Sequence, residues 1–292
     1  MIPSRFEYVA PATLHEALSL LRQYGPEAKL LSGGQSLIPL MKLRLAAPAY
    51  LIDINHVPGL AYLEELDGVL RIGSLIREAD LECSELVRSL VPMVCETAAV
   101  IGDPLVRNLA TIGGNLAHAD PANDHPATML ALGAEIVATS LNGERTIPAA
   151  AFFPDFFTSA LNPDEILTEI RIPVPSARSG GAYMKLERKV GDFAIAGVAA
   201  HVTIDAAGVC EGAGIGLTNA APTPLKVQSA EAFLRGKHLD PDCIKHVAEL
   251  AAAASQPEAD LRGSVAYKQD MVRVLTTRAL TRALKRAQGY VA

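Results

Sequence analysis

Ser32-Gly33-Gly34-Gln35-Ser36 and Thr111-Ile112-Gly113-Gly114-Asn115 are the segments of this chain best suited to chemistry. Each follows a short apolar run and presents closely spaced backbone N–H groups with almost no side-chain bulk. Glycine admits positive φ and lets a backbone approach a ligand closely. Successive N–H groups in such a turn make a concave anion site. Two such segments, far apart in sequence, predict one pyrophosphate held between them, and hence a dinucleotide cofactor. The first segment lacks G-x-G-x-x-G spacing, and Lys42 is misplaced for a P-loop G-K-[ST], so both familiar nucleotide folds are disfavoured.

Other reactive groups are dispersed. No G-x-S-x-G elbow occurs, and no His/Asp/Glu constellation announces acid–base chemistry. His118 and His125, beside Asp120 and Asp124, match no common metal-ligand spacing and are read as part of the second glycine loop. The cysteines Cys83, Cys95, Cys210 and Cys243 include no C-x-x-C pair, so a zinc or iron–sulfur site within the chain is not expected. They are read as reduced structural residues. Any iron–sulfur cluster feeding this protein then belongs to another chain. Arg107 has two readings of equal weight, a phosphate anchor or the partner of a surface acid. Phe152, Phe153, Phe156 and Phe157 form an aromatic knot that core packing explains most simply.

The elements that must position these segments follow from pattern. Phe6 to Val9 reads as a strand, and Thr13 with Glu16 as a capping box for a helix through Leu21, stopped at Gly25-Pro26. Ala28 to Leu31 is a strand running into the first glycine segment, Leu37 to Leu43 a short helix, and Tyr50 to Ile54 a strand. Leu60 to Glu64 and Val69 to Ile72 form a hairpin across Asp67-Gly68. Helix is expected from Arg77 to Val100, interrupted at Pro92, then loop through Asn115. Asp124 to Leu132 reads as helix. Glu135 to Ser140 and Arg145 to Ile147 read as a hairpin about Asn142-Gly143, and Ile166 to Ile172 as a strand. Pro173 to Gly181 is the expected domain boundary. Beyond it, strands at Ala182 to Glu187, Gly197 to Ile204 and Val209 to Leu217 precede helices at Pro241 to Ala254 and Val265 to Gln288, which suggests an α+β lobe.

Composition sets limits on function. At 292 residues the chain accommodates two domains or three small lobes. Half of the residues are hydrophobic and a fifth charged, which suits packed structure and argues against disorder. Its 26 basic and 32 acidic residues give a net charge of −6, with no electrostatic footprint for nucleic acid or an anionic membrane. No apolar run approaches a membrane span, and residues 1–10 do not resemble a signal peptide. A cytoplasmic location is expected.

Three strings are specific: Ile101-Gly102-Asp103-Pro104-Leu105-Val106-Arg107-Asn108, then Thr111 to Asn115, then His118-Ala119-Asp120-Pro121-Ala122-Asn123-Asp124. They resemble the FAD-binding medium subunit of aerobic molybdenum carbon monoxide dehydrogenases and related hydroxylases of the xanthine dehydrogenase family. Ser32 to Leu37, Phe153 to Ile172, Lys185 to Ala196 and Ala220 to Pro224 are similar to that family too, so the likeness covers nearly the whole chain in order. The resemblance implies an α+β fold, with a two-lobed FAD-binding domain of the PCMH/VAO type at residues 1–176 (lobes of about 1–55 and 56–176) and a small α+β domain at 177–292. It implies FAD held through Ser32, Gly33, Gly34, Gln35, Ser36 and Leu37 on one side, and Thr111, Ile112, Gly113, Gly114 and Asn115 on the other. Asp124 would meet the adenosine ribose, with Leu161 at the adenine end. Ile101, Lys185 and Phe193 would lie near the isoalloxazine. Gly212 to Gly216 would be a strand of the last domain and not a nucleotide motif.

Two departures stand out. The family's first motif commonly starts with Ala and has His in fourth place, where this chain has Ser32 and Gln35; both glycines remain. Phe193 stands where many members have Tyr, which bears on flavin access, potential or acceptor choice. The role implied is electron transfer, in an oxidoreductase complex. A large molybdopterin subunit would oxidise substrate, a small subunit with [2Fe–2S] clusters would relay electrons, and quinone, NAD or oxygen would receive them. A dimer of heterotrimers is implied. The alternatives are a free-standing flavin oxidoreductase of the same fold and a degenerate assembly subunit without flavin.

Overall fold

A parallel three-stranded sheet opens the chain in a computed structural model that describes residues 2–290. Its strands are β1 (Glu7–Val9), β2 (Ala28–Leu31) and β3 (Tyr50–Asp53), in the order β1-β3-β2. Helix α1 (Leu14–Tyr24) begins where Thr13 Oγ1 accepts the Glu16 N–H at 3.1 Å, while Glu16 Oε2 reaches back to the Ala12 N–H at 2.8 Å. Its Ala17, Leu18 and Leu21 pack with Ala28 and Ile52 of the sheet. The register pairs Leu31 with Asp53, so the sheet ends where the first glycine segment begins. Helix α2 (Leu37–Lys42) follows that segment directly.

The second sheet has the order β4-β5-β8-β6-β7, and all of its pairings are antiparallel. It comprises β4 (Leu63–Leu66), β5 (Val69–Gly73), β6 (Glu135–Ser140), β7 (Gly143–Pro148) and β8 (Ile166–Pro173). Asp67 (φ 54) and Gly68 (φ 75) are both left-handed, the requirement of a type I′ hairpin turn. The insertion after β5 is helical but more divided than its sequence suggests. Helices α3 (Glu78–Cys83), α4 (Glu85–Leu90) and α5 (Pro92–Ala99) break at Ser84 as well as at Pro92. Extended Ser84 stops one helix and caps the next, its hydroxyl accepting the Val87 N–H.

The stretch expected as loop holds α6 (Pro104–Arg107) and the start of α7 (Ile112–His118). Helix α8 (His125–Leu132) is buried along its whole length, and α9 (Ala149–Phe152) closes the lobe. Residues 174–178 lead into the third sheet, of order β12-β11-β10-β9. Its strands are β9 (Ser179–Leu186), β10 (Ala196–Ile204), β11 (Cys210–Thr218) and β12 (Leu225–Lys226), followed by α10 (Gln228–Leu234), α11 (Pro241–Ala254) and α12 (Val265–Ala287).

Gly214 and Gly216 belong to β11. A Cβ on either would strike a backbone carbonyl of α8, that of Ala131 or Ala127. Their spacing of two places both on one face of the strand, and bare backbone there lets α8 lie directly on the sheet. Val198, Ala200 and Val202 of β10 pack instead into the core shared with α11 and α12.

His201 of β10 is largely buried, and its Nε2 has no hydrogen-bond partner among the described residues. Burial pushes its pKa down to about 4. A lowered histidine contributes stability that is complete above its unfolded value and is lost as pH falls through the folded value. The protein is therefore expected to lose up to about 3 kcal/mol between pH 6.5 and 4 through this group. Chemical denaturation across that range should show a shallower decline in His201→Gln than in the parent; equal slopes would contradict the assignment.

Candidate cofactor-binding site

The two glycine segments meet. Ser32 Oγ and Thr111 Oγ1 lie 3.1 Å apart, and a Cβ on Gly33 would strike the carbonyl of Leu109. Each side is braced by residues that local pattern does not flag. Asn55 donates from Nδ2 to Ser32 O at 2.8 Å, and Arg77 donates to Asn55 Oδ1 at 2.7 Å and to Leu109 O at 2.5 Å. Asn55 and Arg77 thus rivet the end of β2 to the approach to α7. Ser32 supplies the hydroxyl that touches Thr111. Gln35 donates from Nε2 to Gly33 O at 3.1 Å and braces its own turn.

The two segments differ in the donors they offer. Among the described residues, no acceptor within the chain takes the N–H of Gly33, Gly34, Gln35 or Ser36. Gly34 (φ 72) is left-handed, which turns neighbouring N–H groups toward a common side. The second segment is a correction to the sequence reading: it is the first turn of α7 and not an open anion turn. From Ile112 to Asn115 its N–H groups are spent within the chain. Ile112 donates to Ile76 O at 3.2 Å, Gly113 to Ser74 O at 3.0 Å, Gly114 to Thr111 Oγ1 at 3.1 Å and Asn115 to Thr111 O at 2.9 Å.

What the second segment contributes is closeness and hydroxyl chemistry. A Cβ on Gly113 would meet Ser74 at 2.6 Å, and one on Gly114 would meet Thr111 Oγ1 at 2.8 Å and Ser32 Oγ at 2.9 Å. Ile112 is fully buried in the core and does not reach the cavity, because its side chain points into the lobe that its backbone anchors.

Between these segments lies a cavity of about 820 Å³. Ser32 to Leu37, Ile101, Thr111, Gly113, Gly114, Asn115, Asp124, Leu161, Lys185 and Phe193 all line it, as do His118 and Phe157. Asn115 Oδ1 is buried on its wall without a partner among the described residues. Phe157 meets His118 edge-on at 5.2 Å, while Phe152 and Phe153 are core residues. The aromatic knot is therefore divided, since Phe156 and Phe157 are exposed. Arg107 resolves to the ion-pair reading, with Nε at 2.7 Å from Glu82 and its guanidinium directed to the Ile101 and Gly102 carbonyls.

At one end of the cavity the third sheet closes on Asp124. Tyr183 OH donates to its Oδ1 at 2.5 Å and Lys185 Nζ to its Oδ2 at 3.0 Å. Lys185 Nζ also donates to Val100 O at 2.8 Å and forms an ion pair with Glu187 Oε2 at 3.4 Å. Burial pushes the Asp124 carboxyl above the usual range, against the pull of Lys185 and Tyr183.

Asp124 and Lys185, expected at different parts of the cofactor, are in direct contact, and Lys185 also touches the residue before Ile101. Phe193 is half exposed on the rim, on a loop where Gly191 (φ 81) abuts Gly102 and Arg262 holds Asp192 at 2.9 Å. His125 Nε2 lies 2.7 Å from Glu78 Oε2, both fully buried and away from the cavity wall. No cluster of His, Cys, Asp and Glu able to hold a metal occurs among the described residues.

Residues 4–175 match the family described as "FAD binding domain in molybdopterin dehydrogenase". The chain belongs to that family. The rest of this flavoprotein fits the same picture, because residues 181–283 match the "CO dehydrogenase flavoprotein C-terminal domain". It is 43% identical to the carbon monoxide dehydrogenase medium chain of Hydrogenophaga pseudoflava, covering 98% of this chain and 99% of that one. It is 39% identical to the 6-hydroxypseudooxynicotine dehydrogenase complex subunit alpha of Paenarthrobacter nicotinovorans, covering 99% and 97%.

A solved carbon monoxide dehydrogenase from Hydrogenophaga pseudoflava, described as lacking the Mo-pyranopterin moiety of its molybdenum cofactor, superposes with a TM-score of 0.96 at 45% identity over 98% of this chain and 99% of its counterpart. The α+β architecture, a two-lobed FAD-binding domain followed by a flavoprotein C-terminal domain, is that of the family. The residues present suit FAD: unpaired N–H donors for a pyrophosphate, glycine walls for close approach, and buried oxygen acceptors at Asp124 and Asn115 for hydroxyl or amine donors.

Proposed function

We propose that this chain is the FAD-binding, electron-transfer subunit of a molybdenum hydroxylase complex. In this reading it receives electrons from [2Fe–2S] clusters of a small subunit and releases them to quinone, NAD or oxygen. A large molybdopterin subunit carries substrate oxidation, the assembly is a dimer of heterotrimers, and the complex works in the cytoplasm. Residues 1–176 form the FAD-binding domain and residues 177–292 close it.

The observation that carries this is the row of N–H groups at Gly33 to Ser36, which have no acceptor among the described residues, in a cavity shared by the lobes and the last sheet. N–H donors stabilise an anionic pyrophosphate without the desolvation cost of a buried counter-charge. FAD bound there supplies a carrier that takes and gives electrons singly or in pairs, and the protein contributes position and electrostatics. Asp124 offers its remaining lone pairs to a hydroxyl or N–H of the cofactor, fixed by Lys185 and Tyr183. Phe193 on the rim limits access to that end. Nothing in the wall resembles a nucleophile with its base, which fits a chain that passes electrons and leaves the hydroxylation elsewhere.

Affinity purification of the tagged chain from its native cells tests the assembly. FAD together with molybdenum- and iron-containing subunits in equal amounts is expected. FAD without either partner would overturn the complex and favour a free-standing flavoenzyme. Both partners without flavin would favour a degenerate assembly subunit.

A further inference from the structure

Tyr183 does not line the cavity, yet its hydroxyl is committed to Asp124, a buried carboxylate that does. The commitment is built in. A Cβ on Gly197, the neighbouring strand residue, would lie 2.5 Å from the phenol oxygen, so glycine there makes room for it. Thr218 Oγ1, on the next strand, lies 3.4 Å from the same oxygen. Tyr183 and Lys185 are two apart on β9 and so share a face, each taking one oxygen of Asp124. With both oxygens held, the carboxylate cannot rotate.

We propose that Tyr183 is a positioning residue for the cofactor: it orients Asp124 so that the carboxylate presents a fixed lone pair to FAD. The proposal rests on the reading of this cavity as the FAD site. Without the phenol donor, Oδ1 is free to swing toward solvent in the cavity, and the carboxylate takes up a proton more readily. The charged and titratable groups around it are Lys185 and Tyr183 from β9 and His125 from α8, with Glu187 and Glu78 behind them.

The test is the affinity of flavin-depleted full-length protein for FAD, followed by flavin fluorescence quenching from pH 5.5 to 8.5. Tyr183→Phe is expected to weaken binding about tenfold at neutral pH, the loss typical of a hydrogen bond to a charged group. The loss should grow toward low pH. In an Asp124→Ala background the same substitution should change affinity less than twofold, because no oxygen remains there for the phenol to orient. A merely structural tyrosine would weaken binding equally in both backgrounds and leave the pH profile unmoved, and that result would overturn the proposal.

Unchanged affinity in Tyr183→Phe would overturn it as well. Should Tyr183→Phe alone fail to fold, the comparison of Asp124→Ala with the double variant decides: equal affinities support the proposal, and a further large loss rejects it. Failure of the parent protein to bind FAD at all would reject the site itself and is distinguishable from these outcomes.

Discussion

A Gly114→Asp variant is expected to fold and to purify without flavin. Position 114 lies in the first turn of α7, where an acidic residue is well tolerated. A Cβ there meets only Thr111 Oγ1 and Ser32 Oγ, at 2.8 and 2.9 Å, so only two side-chain hydroxyls must shift to admit it. The carboxylate would then project into the cavity opposite the free N–H groups of Gly33 to Ser36, where the pyrophosphate is proposed to sit. Like charges about 4 Å apart cost roughly 4 kcal/mol at an effective dielectric near 20. That is roughly a thousandfold in affinity. Flavin content, read from the visible spectrum beside a thermal melt, checks both halves. Normal flavin in a folded variant would remove the pyrophosphate from this position.

Lys185→Met should be the most destabilising single change near the site. Lys185 Nζ is the cation facing Asp124, whose carboxylate is buried. Removing one partner of a buried pair strands the other charge and typically costs 3–5 kcal/mol, about that range here. The pH dependence has a definite sign. A carboxyl raised above its unfolded value contributes stability below that value and loses it as pH rises through the folded one. Burial already raises Asp124, and losing Lys185 raises it further. The penalty should therefore be greatest at pH 7 to 8 and shrink on acidification. Asp124→Asn in the same chain should restore much of the loss, because no charge remains to strand. Denaturant midpoints for the two variants at pH 5.5 and 7.5 check this; a penalty constant in pH, or no rescue, would contradict it.

The glycine segments were legible because their meaning is local: two bare stretches of backbone beside apolar runs. Their different roles were not. Ser74 and Ile76, from a remote part of the chain, consume two of the second segment's donors. One signal was present, since Thr111 stands where an N-cap would, three residues before Gly114. Paired glycines argue against a helix, and tertiary contacts overrode that propensity. Asn55, Arg77 and Tyr183 carry no pattern at all, because each acts across a distance that only folding closes. The same holds for Asp124 and Lys185, whose contact joins α8 to the last sheet. Gly214 and Gly216 gave a clear strand, but the reason for glycine lies in α8.

The most direct measurement is the visible absorption spectrum of the purified full-length chain, with release and identification of any flavin. The account predicts a flavin spectrum and FAD at about one per chain, since a single cavity holds the free donors. A colourless protein that still binds no FAD after incubation with it would contradict the central claim.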